Sequence, residues 1–345
     1  MTDYQVLVGD CIEQMKTLED QSVHCCVTSP PYFGLRDYGN EGQIGLEPTP
    51  DEFVESLVRV FREVKRVLRD DGTVWLNLGD SYAGSGKGRG KDGKVHSSTI
   101  EKQTKQGTSK GTTIGELPTA IVPEGQKPKD LIGIPWRVAF ALQQDGWYLR
   151  QDIIWNKPNP MPESVKDRCT KAHEYIFLLS KSQRYYFDYE SIREPAAYDG
   201  RKDEQLKGSN KYSDANIMPN GSPNSLAASG HARWTKDEDG NRVRNKRSVW
   251  TVSPKPYKGA HFATFPPDLI EPCILAGCPK DGTVLDPFGG SGTTAGVAVK
   301  NGRNSILCEL NPEYAELIPE RVKSIVYGKN HQVSDSITLD NFFGE

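Results

Sequence analysis

Two stretches of the 345-residue chain carry side chains that could do chemistry together: Thr28-Ser29-Pro30-Pro31-Tyr32 and Asp286-Pro287-Phe288-Gly289-Gly290-Ser291-Gly292-Thr293-Thr294. The first offers a hydroxyl (Ser29), a carbonyl (Pro30) and an aromatic ring (Tyr32) close together. Two consecutive prolines cannot continue a helix or pair inside a sheet, because each lacks an N–H and has a fixed φ. The chain must therefore leave the apolar run Val23–Val27 stiffly. Read alone, the stretch is either a rigid strand exit or a set of acceptors beside a ring. The second reading suits a strand's carboxyl end, where open α/β sheets bind ligands.

The second stretch follows the apolar run Thr283-Val284-Leu285 and precedes a helical segment, Ala295 to Lys300. Strand, glycine-rich turn and helix bring backbone N–H groups and a positive helix end to a ligand. Gly290 and Gly292 permit close approach or positive φ. The next strand, Asn304 to Cys308, runs into Glu309, and an acid at that place commonly binds ribose hydroxyls. A P-loop needs Lys before its Ser or Thr, which Gly290-Ser291-Gly292-Thr293 lacks; the Gly86-Lys87 pair is followed by Gly88 and has no first glycine at the right spacing. An acid at Asp286 would repel a dinucleotide's pyrophosphate. A ligand with a ribose, a positive charge and no phosphate suits Asp286 and Glu309 better, and S-adenosylmethionine is such a molecule. A tight turn without a ligand is the other reading.

The elements that must position these residues alternate. Strands are expected at 4–8, 23–27, 73–78, 147–155, 174–179, 283–286 and 304–308. Helices are expected at 11–18, 50–68, 134–144, 269–276, 295–300 and 313–326. In the second helix Phe53, Leu57, Val60, Phe61, Val64, Val67 and Leu68 recur at helical spacing, and Asp70-Asp71-Gly72 is expected to end it. Such alternation is the signal of a parallel α/β sheet.

Two segments break the pattern. Gly84 to Gly111 is rich in Gly, Ser, Thr and Lys, with seven bases against two acids, and reads as a mobile basic loop. His231 to Lys258 carries eight bases against three acids, with Trp234, Trp250 and Tyr257 interleaved. Bases attract phosphate and aromatic planes stack on nucleobases, so this segment is either a solvated surface or a nucleic-acid contact. The formal charge of −3 excludes a protein that coats nucleic acid with its whole surface. No apolar run approaches the roughly 18 residues of a membrane span, and no secretory signal is visible, so a soluble cytoplasmic protein is expected. The seven cysteines include no C-x-x-C pair and no His at zinc-ligand spacing. Reduced buried thiols and no metal site are expected.

Taken in this order, the two stretches resemble the amino-group DNA methyltransferases of bacteria and phages, which methylate N4 of cytosine or N6 of adenine. A catalytic motif placed before the cofactor motif is the arrangement of their beta class. Further matches are Val8-Gly9-Asp10-Cys11, Thr170 to Phe177, Tyr186-Phe187-Asp188, His261 to Pro267 and Glu309-Leu310-Asn311-Pro312. The resemblance covers residues 4–80, 130–195 and 258–327. It implies a Rossmann-like, seven-stranded α/β sheet with one antiparallel strand, circularly permuted. Residues 1–194 would be the catalytic part, 195–257 an inserted target-recognition region, 258–327 the cofactor part and 328–345 a tail. The insert at 84–111 would be a second DNA contact.

The family's pattern implies S-adenosyl-L-methionine as cofactor, held by Asp286, Pro287, Phe288, Gly290, Gly292 and Thr293 around its methionine part. Glu309 would take the ribose, Asp10 the adenine amine, and Phe262, Ala263 and Thr264 the remaining wall. Ser29, Pro30, Pro31 and Tyr32 would be catalytic: Ser29 and Pro30 accept the amine hydrogens of a flipped base, and Tyr32, with Phe33 as a second candidate, stacks on it. Arg233, Trp234, Arg242, Arg244, Lys246 and Arg247 would contact double-stranded DNA. A cognate restriction endonuclease is a further expected partner, and the chain is expected as a monomer or homodimer. Ser at position 29 looks more like the N4-cytosine members, Asp there more like the N6-adenine members. A related enzyme acting on RNA or a protein amide usually carries Asn there. C5-cytosine methylation needs a cysteine nucleophile after proline; Pro272-Cys273 supplies the dipeptide but lies in an apolar helix, and Cys273 is read as a core residue.

Overall fold

The computed structural model describes residues 2–34, 42–84, 122–123, 125–196, 235–236, 239–254 and 264–328, with backbone alone at 235, 236 and 242. The basic insert therefore lies outside the described residues apart from Gly84. The chain divides into two compact units, Met1–Phe187 with Ser248–Glu345, and Asp188–Arg247.

The first half of the larger unit runs β1 (Tyr4–Val8), α1 (Cys11–Met15), β2 (Val23–Thr28), α2 (Pro50–Val67), β3 (Leu68–Leu78), α3 (Ile134–Gln144), β4 (Tyr148–Asn156) and β5 (His173–Ser180). The chain returns to this unit with β9 (Val249–Thr251), α4 (Pro267–Gly277), β10 (Thr283–Asp286), α5 (Thr293–Lys300), β11 (Asn304–Glu309), α6 (Pro312–Ala315) and α7 (Ile318–Val326). The strands lie in the order β1-β11-β10-β2-β3-β5-β4-β9. Seven of them form the expected sheet, with β5 antiparallel to both neighbours, and β9 adds a short parallel strand beside β4 at the edge. In the smaller unit β6 (Glu194–Pro195), β7 (Thr235–Lys236) and β8 (Arg242–Arg244) form an antiparallel sheet in the order β6-β8-β7.

Helix α2 shows why this architecture follows locally. Thr49 caps it, its Oγ1 accepting from Glu52 N–H at 3.2 Å, and Pro50 opens its first turn. Asp51 and Glu52 sit at the positive end, Lys65 and Arg66 at the negative end. Its apolar stripe, Phe53, Leu57, Val60, Phe61, Val64 and Val67, is completely buried. Helix α1 ends at Met15 and not at Leu18, and two further boundaries differ from the periodicity. Asp70-Asp71-Gly72 lies inside β3, where a register shift between Val23 and Cys25 of β2 accommodates it and Asp70 and Asp71 are exposed. The last helix is split into α6 and α7, since Pro319 in the first turn of α7 has no N–H with which to continue a helix from α6.

The chain leaves β10 through α5 toward β11 on one side, and leaves β2 through α2 toward β3 on the other. The strand order therefore reverses between β10 and β2, and the crevice outside their carboxyl ends is where such sheets take ligands. Both chemistry-bearing stretches emerge there. Among the described residues no helix is long and apolar enough to cross a membrane.

Candidate active site

The two stretches are bonded to each other. Thr28, the last residue of β2, donates its hydroxyl to Asp286 Oδ1 at 2.6 Å. Thr294 Oγ1 donates to Asp286 Oδ2 at 2.6 Å, and Phe288 N–H to Oδ1 at 3.1 Å. Asp286 is 1% exposed. Burial pushes its carboxyl up to about 6, even though these three donors pull it down. Asp286 thus ties the ends of β10, α5 and β2 into one piece.

The glycine-rich turn follows. Gly290 and Gly292 have φ of 51° and 84°, and a Cβ on Gly292 would lie 2.7 Å from Ile318, so backbone angle and the packing of α7 both demand glycine there. Glu309, ending β11, accepts Gly290 N–H at 2.7 Å through Oε2 and Asn311 N–H at 2.9 Å through Oε1. Burial also pushes Glu309 up to about 6 against these backbone donors. Asp10 follows β1 and caps α1, its Oδ1 accepting Ile12 and Glu13 N–H, each at 3.0 Å.

These groups line one cleft with an empty volume of about 1210 Å³, open solvent at its mouth included. Ser29, Pro30, Pro31 and Tyr32 line it on one side; Asp10, Thr264, Asp286, Pro287, Phe288, Gly290, Thr293 and Glu309 are among its other lining residues, with Phe265 and Tyr314. Gly292 is not in the wall; it is the residue before α5. Phe262 and Ala263 lie outside the described residues. Three carboxylates line the cleft and no Lys, Arg or His does, among the described residues. That charge suits a cation and opposes a phosphate. Ser291 Oγ, buried in the same wall, makes no hydrogen bond among the described residues, which leaves a polar atom for a ligand to satisfy. The donor set fits S-adenosylmethionine: acids for the sulfonium and ammonium charges and the ribose hydroxyls, and the rings of Phe265 and Tyr314 for an adenine.

Tyr32 is held by residues whose role the sequence did not disclose. Its hydroxyl donates to Glu174 Oε2 at 2.7 Å and lies 3.4 Å from Asn77 Oδ1. Asn77 Nδ2 reaches the same Glu174 oxygen at 3.3 Å and Tyr175 O at 3.0 Å, while the Lys157 ammonium pairs with Glu174 Oε1 and sits 4.2 Å over the Trp155 ring. Gly79 makes the room, since a Cβ there would fall 2.5 Å from Tyr32 Cε2. The available signal was Asn77, a polar residue inside the apolar run of β3.

Three aromatic or thiol candidates belong to the core. Phe33 is 8% exposed and packs against Phe53 at 5.6 Å between ring centroids, so it cannot stack on a base. Trp250, read above as a possible stacking ring, is 6% exposed on β9 with its ring 6.4 Å from Trp75. Cys273 is 1% exposed on α4. Six of the seven cysteines are buried, Cys169 is exposed, and none forms a disulfide. Of the expected DNA-binding residues, Arg233 and Trp234 lie outside the described residues and Arg242 is described in backbone only, in β8. Arg244 and Arg247 both donate to Glu194 Oε1, at 2.9 and 2.7 Å, and Lys246 is half-buried beside them in sequence.

Comparison with known proteins agrees with this geometry. The sequence pattern of the DNA methylase family (N6_N4_Mtase) fits residues 23–320. The chain is 46% identical over 319 residues to the Type II methyltransferase M.SmaI of Serratia marcescens, covering 92% of this chain and 90% of that one. It is 44% identical over 318 residues to the Type II methyltransferase M.Cfr9I of Citrobacter freundii, covering 91% and 86%. Among solved structures, its fold resembles PvuII DNA methyltransferase (cytosine-N4-specific), with a TM-score of 0.55 at 19% identity over 95% and 94% of the two chains. A putative DNA modification methylase from Thermus thermophilus, complexed with S-adenosyl-L-methionine, gives 0.51 at 22% identity over 95% and 97%. A family pattern that begins at the first residue of β2 and ends inside α7 spans both motifs and the sheet between them, and on that ground the chain belongs to the N6/N4 DNA methylase family.

Proposed function

We propose that the protein is an S-adenosylmethionine-dependent methyltransferase that modifies the exocyclic N4 amine of a cytosine flipped out of duplex DNA. The observation that carries this reading is the Thr28–Asp286 hydrogen bond, which fixes the Ser29–Tyr32 acceptors and the acidic cofactor wall across one cleft. S-adenosylmethionine supplies, when bound, an electrophilic sulfonium methyl group.

The chain's own residues do the rest. An exocyclic amine is a poor nucleophile because its lone pair is delocalised into the ring. The Ser29 hydroxyl and the Pro30 carbonyl accept its two hydrogens, which draws the nitrogen toward tetrahedral geometry and frees the lone pair. Tyr32, its hydroxyl anchored on Glu174, presents a fixed ring for the flipped base. Two prolines hold the acceptors in place, so the gain is mainly one of positioning. Ser29 is too weak a base to deprotonate the amine first; the extra proton leaves after transfer, to water or through Ser29 Oγ. The cofactor falls to Asp286, Phe288, Gly290 and Glu309, and target recognition to the region 195–257, with Arg244, Lys246 and Arg247. A cognate restriction endonuclease is the partner suggested by the Type II names of the relatives.

Cytosine is preferred over adenine because position 29 holds a neutral Ser and not Asp. Unmethylated plasmid incubated with protein and S-adenosylmethionine, then digested to nucleosides, should yield N4-methylcytosine by mass spectrometry. N6-methyladenine in its place overturns the choice of base; neither product overturns the DNA assignment.

A further inference from the structure

The loop 157–172 stands on the carboxyl edge of the sheet, because it follows β4 and precedes antiparallel β5, with Asn156 paired to His173. That edge also carries Ser29 to Tyr32. The base of the loop is bonded to the catalytic ring: Lys157 N–H donates to Ala172 O at 2.8 Å, the Lys157 ammonium pairs with Glu174, and Glu174 accepts the Tyr32 hydroxyl at 2.7 Å. Further out, Glu163 accepts Arg168 Nη1 at 2.6 Å and Lys171 N–H at 3.2 Å. Arg168 lies 3.9 Å over the ring of Tyr82, in the turn after β3, and Lys129 Nζ reaches Asp167 at 2.5 Å. These contacts brace the base of the loop and residues 163–171, and Pro158, Pro160 and Pro162 stiffen its leading stretch. Between the last two prolines stands Met161, 70% exposed, the most exposed large apolar side chain among the described residues. Of the loop's bases, Lys157, Arg168 and Lys171 pair with Glu174, Glu163 and Asp80, and Lys166 is exposed, a charge placed to meet a phosphate.

We propose that Met161 is a wedge that enters the DNA stack at the place the target base leaves, with Lys166 on a flanking phosphate. The proposal rests on the base-flipping reading above and adds the residue that offsets the cost of flipping. Unstacking and unpairing a base costs a few kcal/mol; methionine is among the side chains that wedge between base steps, and one that fills an already vacated gap contacts the flanking bases and offsets part of that cost. An unbranched thioether adapts to an irregular gap. The bonds from Lys157 through Glu174 to Tyr32 tie the base of the wedge's loop to the receiving ring, which couples filling the gap to seating the base.

The test uses the full-length protein and a duplex oligonucleotide carrying whichever site the wild type modifies in plasmid DNA. Met161→Ala should lower kcat/KM on the matched duplex about tenfold or more. The loss should shrink to about threefold or less when the target base is mispaired, because the pairing to be broken is already gone. Met161→Leu should stay near wild type, and cofactor affinity by calorimetry and Tm should be unchanged in both variants. Equal losses on matched and mispaired duplexes, or no loss on either, overturn the wedge while leaving the methyltransferase reading intact. A wild-type protein that methylates no duplex overturns that reading and the wedge with it.

Discussion

Lowering the pH should weaken S-adenosylmethionine binding well above the pH at which ordinary carboxylates titrate. Burial holds Asp286 and Glu309 both near 6 in the cofactor-free protein. A cation placed beside them favours their ionised forms, so their pKa values fall on binding and protons must leave. Affinity therefore rises with pH through about 6 and levels off above about 7. At pH 5 each group is protonated about nine times in ten, a penalty of roughly tenfold per carboxyl. If both must ionise, Kd rises about a hundredfold between pH 7 and pH 5. Titration calorimetry at several pH values, in buffers of different ionisation heat, measures both the affinity and the protons released. Asp286→Asn or Glu309→Gln should each remove about one proton from the slope. The stability of the cofactor-free fold should run the other way. A pKa raised on folding contributes stability that is full below the unfolded value and is lost as pH rises through the folded one. For Asp286, raised from 3.8 to about 6, that loss is about 3 kcal/mol by pH 7. Affinity falling on acidification while these two groups stabilise the fold separates the effect from acid unfolding. A Kd constant within threefold between pH 5 and pH 7 would refute the reasoning.

Thr28→Val keeps the shape of β2 but removes a 2.6 Å bond to a buried carboxylate. It should cost about 1.5–3 kcal/mol in denaturant unfolding, with Thr28→Ser close to wild type; equal stability of Val and wild type would show that the bond is not holding the two motifs together. Tyr32→Phe and Glu174→Ala remove the same 2.7 Å contact from its two sides. Each should lower kcat with little change in cofactor affinity, and the double variant should be no worse than the poorer single; fully additive losses count against one shared clamp. Gly79→Ala sets a Cβ 2.5 Å from Tyr32 Cε2 and should displace the ring, so kcat falls about tenfold or more while calorimetry of the cofactor is unaffected. Normal turnover by Gly79→Ala would mean that the ring position is not critical.

What the sequence disclosed and what it hid divide along a physical line. The ends of β2 and β10 were legible because a hydroxyl, prolines, glycines and acids directly after apolar runs have few structural uses, and because alternating elements imply a parallel sheet. Side chains whose type serves two purposes were not. Phe33 and Trp250 read as base-stacking rings, yet both fill the core, since an aromatic ring buries apolar area as readily as it stacks. Arg244 and Arg247 counted as positive charge for DNA, and the structure adds that both donate to Glu194, a pairing that a charge count cannot show. Asn77 is the instructive case. Within Val74-Trp75-Leu76-Asn77-Leu78 it required a partner, because a buried amide without one costs free energy. The need was visible in β3 alone. The partner was not, because Glu174 comes beside Asn77 only when β5 inserts antiparallel next to β3, with Asn77 facing Ile176 in register. A polar residue in a buried strand thus announces a site one strand before the topology says what the site contains, and here it announced the clamp on Tyr32.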